Sequence, residues 1–107
     1  MARASRNKKT IHRLRPQGEI TIYNAADMKT ILLDTLQVHN KIEIDLAEVS
    51  ELDTAGVQLL VLARREADKA DKSLSLITPS EVVQEMLNLY HLTSYFDSPD
   101  TATSKAG

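Results

Sequence analysis

The chain has no cysteine and no tryptophan, and only one phenylalanine, three glycines and three prolines among its 107 residues. Without cysteine there is no disulfide framework, no thiolate nucleophile and no cysteine-based zinc or iron-sulfur site. Long apolar runs are missing too: the longest, Leu59 to Ala63, spans five residues, against the roughly 20 that a membrane-crossing helix needs. Glycines at positions 18, 56 and 107 cannot compose a phosphate or dinucleotide loop, which excludes nucleotide hydrolysis of that kind. His12, His39 and His91 fall on or beside three different elements, with no H-x-x-x-H or H-E-x-x-H spacing. No metal and no cofactor are expected.

What is present is enough for one small folded unit. With 42% hydrophobic and 26% charged residues, the length fits one compact domain with one core and leaves no space for a catalytic domain beside it. A soluble, cytoplasmic protein is the default expectation. The formal net charge of −2 conceals an asymmetry: residues 1 to 15 carry six cations and no acid, so that segment is +6 and the rest is −8. No apolar segment follows the first charges, so the leader fails as a secretory signal. Residues 1–9 read as a disordered, solubilising leader, the other use for such charge being contact with nucleic acid or an anionic membrane. Neither a nucleic-acid partner nor membrane insertion is expected. Residues 97–107 include no aliphatic side chain larger than alanine and cannot offset their ordering entropy by burial. They read as a disordered tail, leaving a folded body of 10–96.

Within the body, a first strand at Thr10 to Leu14 and an alternating segment at Glu19 to Tyr23 flank Pro16-Gln17-Gly18, which predicts an opening hairpin. Asn24 can cap a helix in which Ala25, Met28, Ile31, Leu32, Thr35 and Leu36 recur at helical spacing, with Asp27 favouring the positive helix end. Lys41 to Leu46 places Ile42, Ile44 and Leu46 on one side, the pattern of a central strand, and 47–52 reads as a connection. A helix then opens at Asp53-Thr54-Ala55-Gly56 and runs to about Asp71 on the stripe Ala55, Leu59, Leu62, Ala63, Ala67 and Ala70. Ser73 to Ile77 alternates as a strand. Thr78, Pro79 and Glu81 read as cap, first helical residue and capping-box acid of a helix that buries Val82, Val83, Met86, Leu87 and Tyr90. Leu92, Tyr95 and Phe96 suggest a last short helix. The order β-β-α-β-α-β-α implies an α/β fold, a small mixed sheet with the hairpin at one edge, parallel strands joined by helical crossovers, and helices covering it.

Chemistry-bearing residues gather after the central strand. Asp45, Glu48, Glu51 and Asp53 lie where α/β sheets place their sites, but no His, Lys or Arg in that loop supplies an acid-base or nucleophilic partner. No enzyme is expected. The hydroxyl of Thr54 sits at a helix start, where free N–H groups and the dipole favour an added phosphate, while the neighbouring acids oppose it. Either Thr54 is a phosphorylation switch, or Asp53 or Thr54 is an ordinary helix cap.

The stretch IEIDLAEVSELDTAGVQLLVL, residues 42–62, resembles the STAS domain of bacterial anti-sigma factor antagonists. GEITIYNAADMKTILLDTL before it and SLSLITPSEVVQEMLNLYHLTSYF after it are similar to the family's second strand and first helix, and to its last strand and helix. The resemblance implies a STAS-like fold and a phosphorylation-regulated protein-protein interaction. By position, Asp53 matches the family's acidic residue, Thr54 its phosphorylatable hydroxyl and Gly56 the glycine at the helix start. The implied partner is a serine/threonine kinase of the anti-sigma factor type. Thr in place of the commoner Ser also occurs in relatives that accompany chemotaxis proteins or serve a phospholipid-transport complex, and the alternative is a non-enzymatic structural subunit of such a membrane-associated assembly. The expected docking surface comprises Val49, Ser50, Glu51, Asp53, Thr54, Ala55 and Gly56, with Gln58 and Arg65 at its rim. A monomer is expected, with a dimer through short edge strands as the alternative.

Overall fold

The computed structural model describes residues 11–97. The expected leader, 1–9, and tail lie outside the described residues, apart from Asp97. Nine elements follow one another: β1 (His12–Leu14), β2 (Gly18–Ile20), α1 (Ala25–Val38), β3 (Lys41–Asp45), β4 (Val49–Leu52), α2 (Thr54–Lys69), β5 (Ser73–Ile77), α3 (Glu81–Leu89) and α4 (Thr93–Asp97). They form two small parallel sheets, one ordered β1-β3-β5 and one pairing β2 with β4. The α/β class is as expected, and β3 is the central strand.

The opening hairpin is not formed. β1 pairs in parallel with β3, placing His12, Arg13 and Leu14 beside Ile42, Glu43 and Ile44, and β2 pairs in parallel with β4. β1 and β2 are therefore strands of two different sheets, separated by residues 15–17 and each paired with a later strand rather than with the other. Pro16 has no N–H to continue the ladder and biases Arg15 toward extended backbone. Pairing resumes where the Gly18 N–H donates to the Glu48 carbonyl at 3.0 Å, with Gly18 at φ 83° re-aiming the strand in a conformation that glycine adopts freely. Opposite charges meet across the first ladder, Arg13 on Glu43 at 2.8 Å and Arg15 on Asp45 at 3.1 Å.

Other boundaries also differ. Residues 49–52, read as a connection, form β4, whose end residues Val49 and Leu52 are buried while Ser50 and Glu51 face out. The second strand stops at Ile20; Ile22 and Tyr23, read as strand, are 69% and 88% exposed. Asn24 does stand at the cap position of α1, but its side chain turns back, accepting from the Thr21 N–H at 2.9 Å and donating to the Glu19 carbonyl at 2.7 Å. Ser80, not Thr78, caps α3, its hydroxyl accepting from the Val83 N–H and donating to the Val49 carbonyl. Thr78 instead takes the left-handed conformation, φ 50°.

The core joins Ile20, Ile42, Ile44, Leu46 and Val49 from the strands and their ends with Leu32, Leu36, Val57, Leu59, Leu60, Ala63, Val83 and Leu87 from the helices. At roughly 1.5–3 kcal/mol for each fully buried aliphatic side chain, this cluster fixes how α2 lies on the sheets. The buried stripe of α2 is widest near its start, where Val57 and Leu60 join Leu59, and ends at Ala67; Ala70, placed on the stripe by its spacing, is exposed. Both α2 and α3 stop in the same way. The Asp71 and Lys72 N–H groups return to Asp68 and Ala67, and those of His91 and Leu92 return to Asn88 and Leu87. This is the Schellman pattern, with Asp71 and His91 at the positive-φ position that glycine ordinarily fills. No helix among the described residues is long and apolar enough to cross a membrane.

Candidate functional site

The site is built where β2 and β4 end together and α2 begins. Ile20 and Leu52 lie side by side in the β2-β4 ladder, and the Asp53 N–H reaches the Ile20 carbonyl at 3.4 Å. Asp53 is the helix cap: its Oδ1 accepts from the Gly56 N–H at 2.9 Å, satisfying a donor that the first turn leaves open. The other oxygen, Oδ2, accepts from the Ile22 N–H, also at 2.9 Å. Those amides, Ile22 first and Gly56 second, hold the Asp53 carboxyl below the ordinary aspartate range because they bond to its charged form. The carboxylate is thus a fixed clamp between the β2-α1 loop and α2.

Gly56 is where the two ends touch. A methyl group here would sit on the Ile20 carbonyl oxygen and 2.6 Å from Leu52 Cδ1. Its role is close approach, since its own φ lies outside the positive region. Bringing α2 onto β2 at this point leaves Thr54, the first helical residue, facing outward.

Thr54 is exposed, and its Oγ1 lies 2.6 Å from the phenolic oxygen of Tyr90, either atom being able to donate. Tyr90 is the C-terminal cap of α3 and is 40% exposed. The sequence pattern placed this ring in the core, but the position lies past the last buried turn of α3, so the ring leans across to α2. Between them runs an open groove of about 460 Å³, lined by Thr54, Val57, Gln58, Val61, Leu62, Arg65, Tyr90 and Leu92. Thr54 and Arg65, both on its lining, are 11 residues apart on one helix, about 16 Å along the helix axis. A second shallow depression lies on the other flank of α2, against Ala25, Ala26 and Lys29 of α1.

The remaining expected residues divide by exposure. Ser50 and Glu51 on β4 and Gln58 and Arg65 on α2 are exposed, and Ala55 is half-buried. Val49 and Gly56 are buried, so they shape the surface from beneath. The four acids do not form one cluster of free carboxylates. Asp45 is nearly buried, paired with Arg15 and accepting from the Ala47 N–H at 3.0 Å, and Asp53 is committed to its two amides. Glu48 and Glu51 remain exposed. Sequence reasoning missed Ile22, whose N–H bonds Asp53, and Tyr90 and Leu92, which line the groove. The Thr54-Tyr90 contact spans 36 residues, a separation that no local motif signals. His12 and His39 stack with ring centroids 4.0 Å apart at the other side of β1 and α1, and His91 is on the α3-α4 corner. Among the described residues, no three His, Asp or Glu side chains gather as a metal-binding group.

Comparison with known proteins gives one consistent likeness. A family model described as Mlab, STAS domain matches residues 4–95. Among solved structures, a candidate anti-sigma factor antagonist from Thermotoga maritima is 27% identical, with a TM-score of 0.71 over 77% of this chain and 72% of that one. The anti-sigma factor antagonist SpoIIAA, in its unphosphorylated form, has a TM-score of 0.66 at 20% identity, over 75% of this chain and 71% of its own. A sulfate transporter family protein from Wolinella succinogenes has a TM-score of 0.67 at 17% identity, over 80% of this chain and 70% of its own. The last two likenesses concern the fold alone.

Proposed function

The chain belongs to the STAS domain family, and on that premise we propose that it is a non-catalytic, cytoplasmic protein-interaction domain whose docking face is switched by phosphorylation of Thr54. The observation that carries the reading is the placement of the Thr54 hydroxyl. It is exposed on the first residue of α2, beside a carboxylate already committed to backbone amides, and on the lining of an open groove. A phosphate there would add about −1.5 to −2 charge next to Asp53 and near exposed Glu51 and Glu48. A partner surface fitted to the unmodified face would then lose complementarity through repulsion and desolvation. Ser50, Glu51, Ala55, Gln58 and Arg65 supply the contact surface around Thr54. The partner is a serine/threonine kinase of the anti-sigma factor type, in keeping with the likeness to an anti-sigma factor antagonist at 27% identity.

A second reading takes the chain as a structural subunit of a membrane-associated transport complex, with Thr54 unmodified. The observation that favours it is the bond from Thr54 to Tyr90, which gives the hydroxyl a structural use. One experiment separates the two: capture of partners by the wild-type, T54A and T54E chains, with mapping of phosphosites on the wild-type chain recovered from cells. Phosphate at Thr54 together with partner loss in T54E supports the switch. Partner loss in T54E with Thr54 unmodified in cells supports the subunit.

A further inference from the structure

Building on the reading of Thr54 as the regulated hydroxyl, we propose that Tyr90 is its positioning residue, and that it carries a change at Thr54 to the corner between α3 and α4. The two oxygens are 2.6 Å apart, a full hydroxyl-hydroxyl hydrogen bond with no space between them. Transfer of a phosphoryl group from a kinase-bound nucleoside triphosphate forms an Oγ1–P bond and releases the diphosphate and the hydroxyl proton. Oγ1 then has no proton to donate, and the phosphorus with its three oxygens occupies the place where the Tyr90 hydroxyl stands. Tyr90 must swing away, or turn its O–H onto a phosphate oxygen.

The surroundings of Tyr90 make that movement consequential. It is the C-terminal cap of α3, just before a corner at which His91 takes φ 58°, a conformation in which a non-glycine residue is strained. Backbone bonds hold the corner, His91 N–H to Asn88 and Leu92 N–H to Leu87, and Thr93 Oγ1 adds a bond to Asn88 Oδ1 at 2.7 Å. Beyond it, α4 is anchored by buried Phe96 and by Tyr95, over which the Arg64 guanidinium lies 5.3 Å from the ring centroid. Motion started at Tyr90 is thus taken up between two fixed helices. Leu92, within that corner, lines the same groove as Thr54, Gln58 and Arg65. A change of one hydroxyl at the start of α2 alters the opposite wall of the groove.

The test uses the full chain alone, by amide NMR and hydrogen exchange, with T54V, Y90F, their double variant, and T54E in the wild-type and Y90F backgrounds. Both single changes keep side-chain shape. The Leu92 amide is expected to exchange about two- to tenfold faster in each single variant, the range that one net hydrogen bond supports, and no faster in the double. T54E should shift the Leu92 resonance, and shift it less than half as far when combined with Y90F. Exchange rates that multiply in the double variant, or a T54E shift unaffected by Y90F, would overturn the proposal. No kinase or partner enters the measurement, so its failure leaves the docking reading standing. Conversely, absence of phosphate on Thr54 in cells defeats the docking switch and leaves this coupling intact.

Discussion

The two carboxylate oxygens of Asp53 accept, each at 2.9 Å, the N–H groups of Gly56 and Ile22, so that one side chain both starts α2 and ties it to the β2-α1 loop, 31 residues earlier. This clamp sets where Thr54 is presented. D53A removes both acceptors and D53N retains one. The urea midpoint is expected to fall in the order wild type, D53N, D53A.

The same clamp makes a pH prediction with a definite sign. The folded-state pKa of Asp53 is depressed, so its stabilisation is complete above the unfolded pKa, near about 4, and is lost as pH falls through the lower folded value. Unfolding midpoints of wild type and D53A, measured from pH 6 to pH 2, should therefore converge toward the acid end. A gap that stays constant would show that the carboxylate charge plays no part.

G56A should destabilise without touching any exposed residue. Its methyl group meets the Ile20 carbonyl and Leu52 Cδ1, and backbone cannot step aside as a flexible side chain can, so overpacking should cost about 1–3 kcal/mol. Urea denaturation measures this, with an unchanged midpoint as the contrary result.

The parts of this architecture that were legible in sequence are those whose signals are local. β3 announced itself by Ile42, Ile44 and Leu46, α2 by its apolar stripe, and the Asp53 to Gly56 start of α2 by its cap and glycine. Partnership was less legible. Alternation marks a strand but not its neighbour, so β1 and β2 were paired with each other when each lies parallel to a later strand. β4 is short and shows burial only at its two ends. Arg15 with Asp45, and Thr54 with Tyr90, meet across 30 and 36 residues, through the placement of whole elements.

Asp71, at φ 61° beyond the end of α2, occupies a position that glycine fills without steric cost. D71G should raise stability by about 0.5–1 kcal/mol, seen as a higher thermal midpoint. It should leave partner binding unchanged, since the residue is remote from the start of α2.

Arg65 and Gln58 are exposed on the groove, and Arg65 has no ion-pair partner among the described residues. R65E and Q58A should each change stability by no more than about 0.5 kcal/mol and should weaken capture of the partner several-fold. Titration calorimetry beside thermal melts separates the two effects. A loss of binding matched by a loss of stability would point to misfolding.

The most direct test of the switch is the affinity of the captured partner for the chain unmodified and for the chain phosphorylated at Thr54, measured side by side at one salt concentration. The account predicts binding at least about tenfold weaker with phosphate in place, a difference of about 1.4 kcal/mol. Equal affinity of the two forms would contradict it.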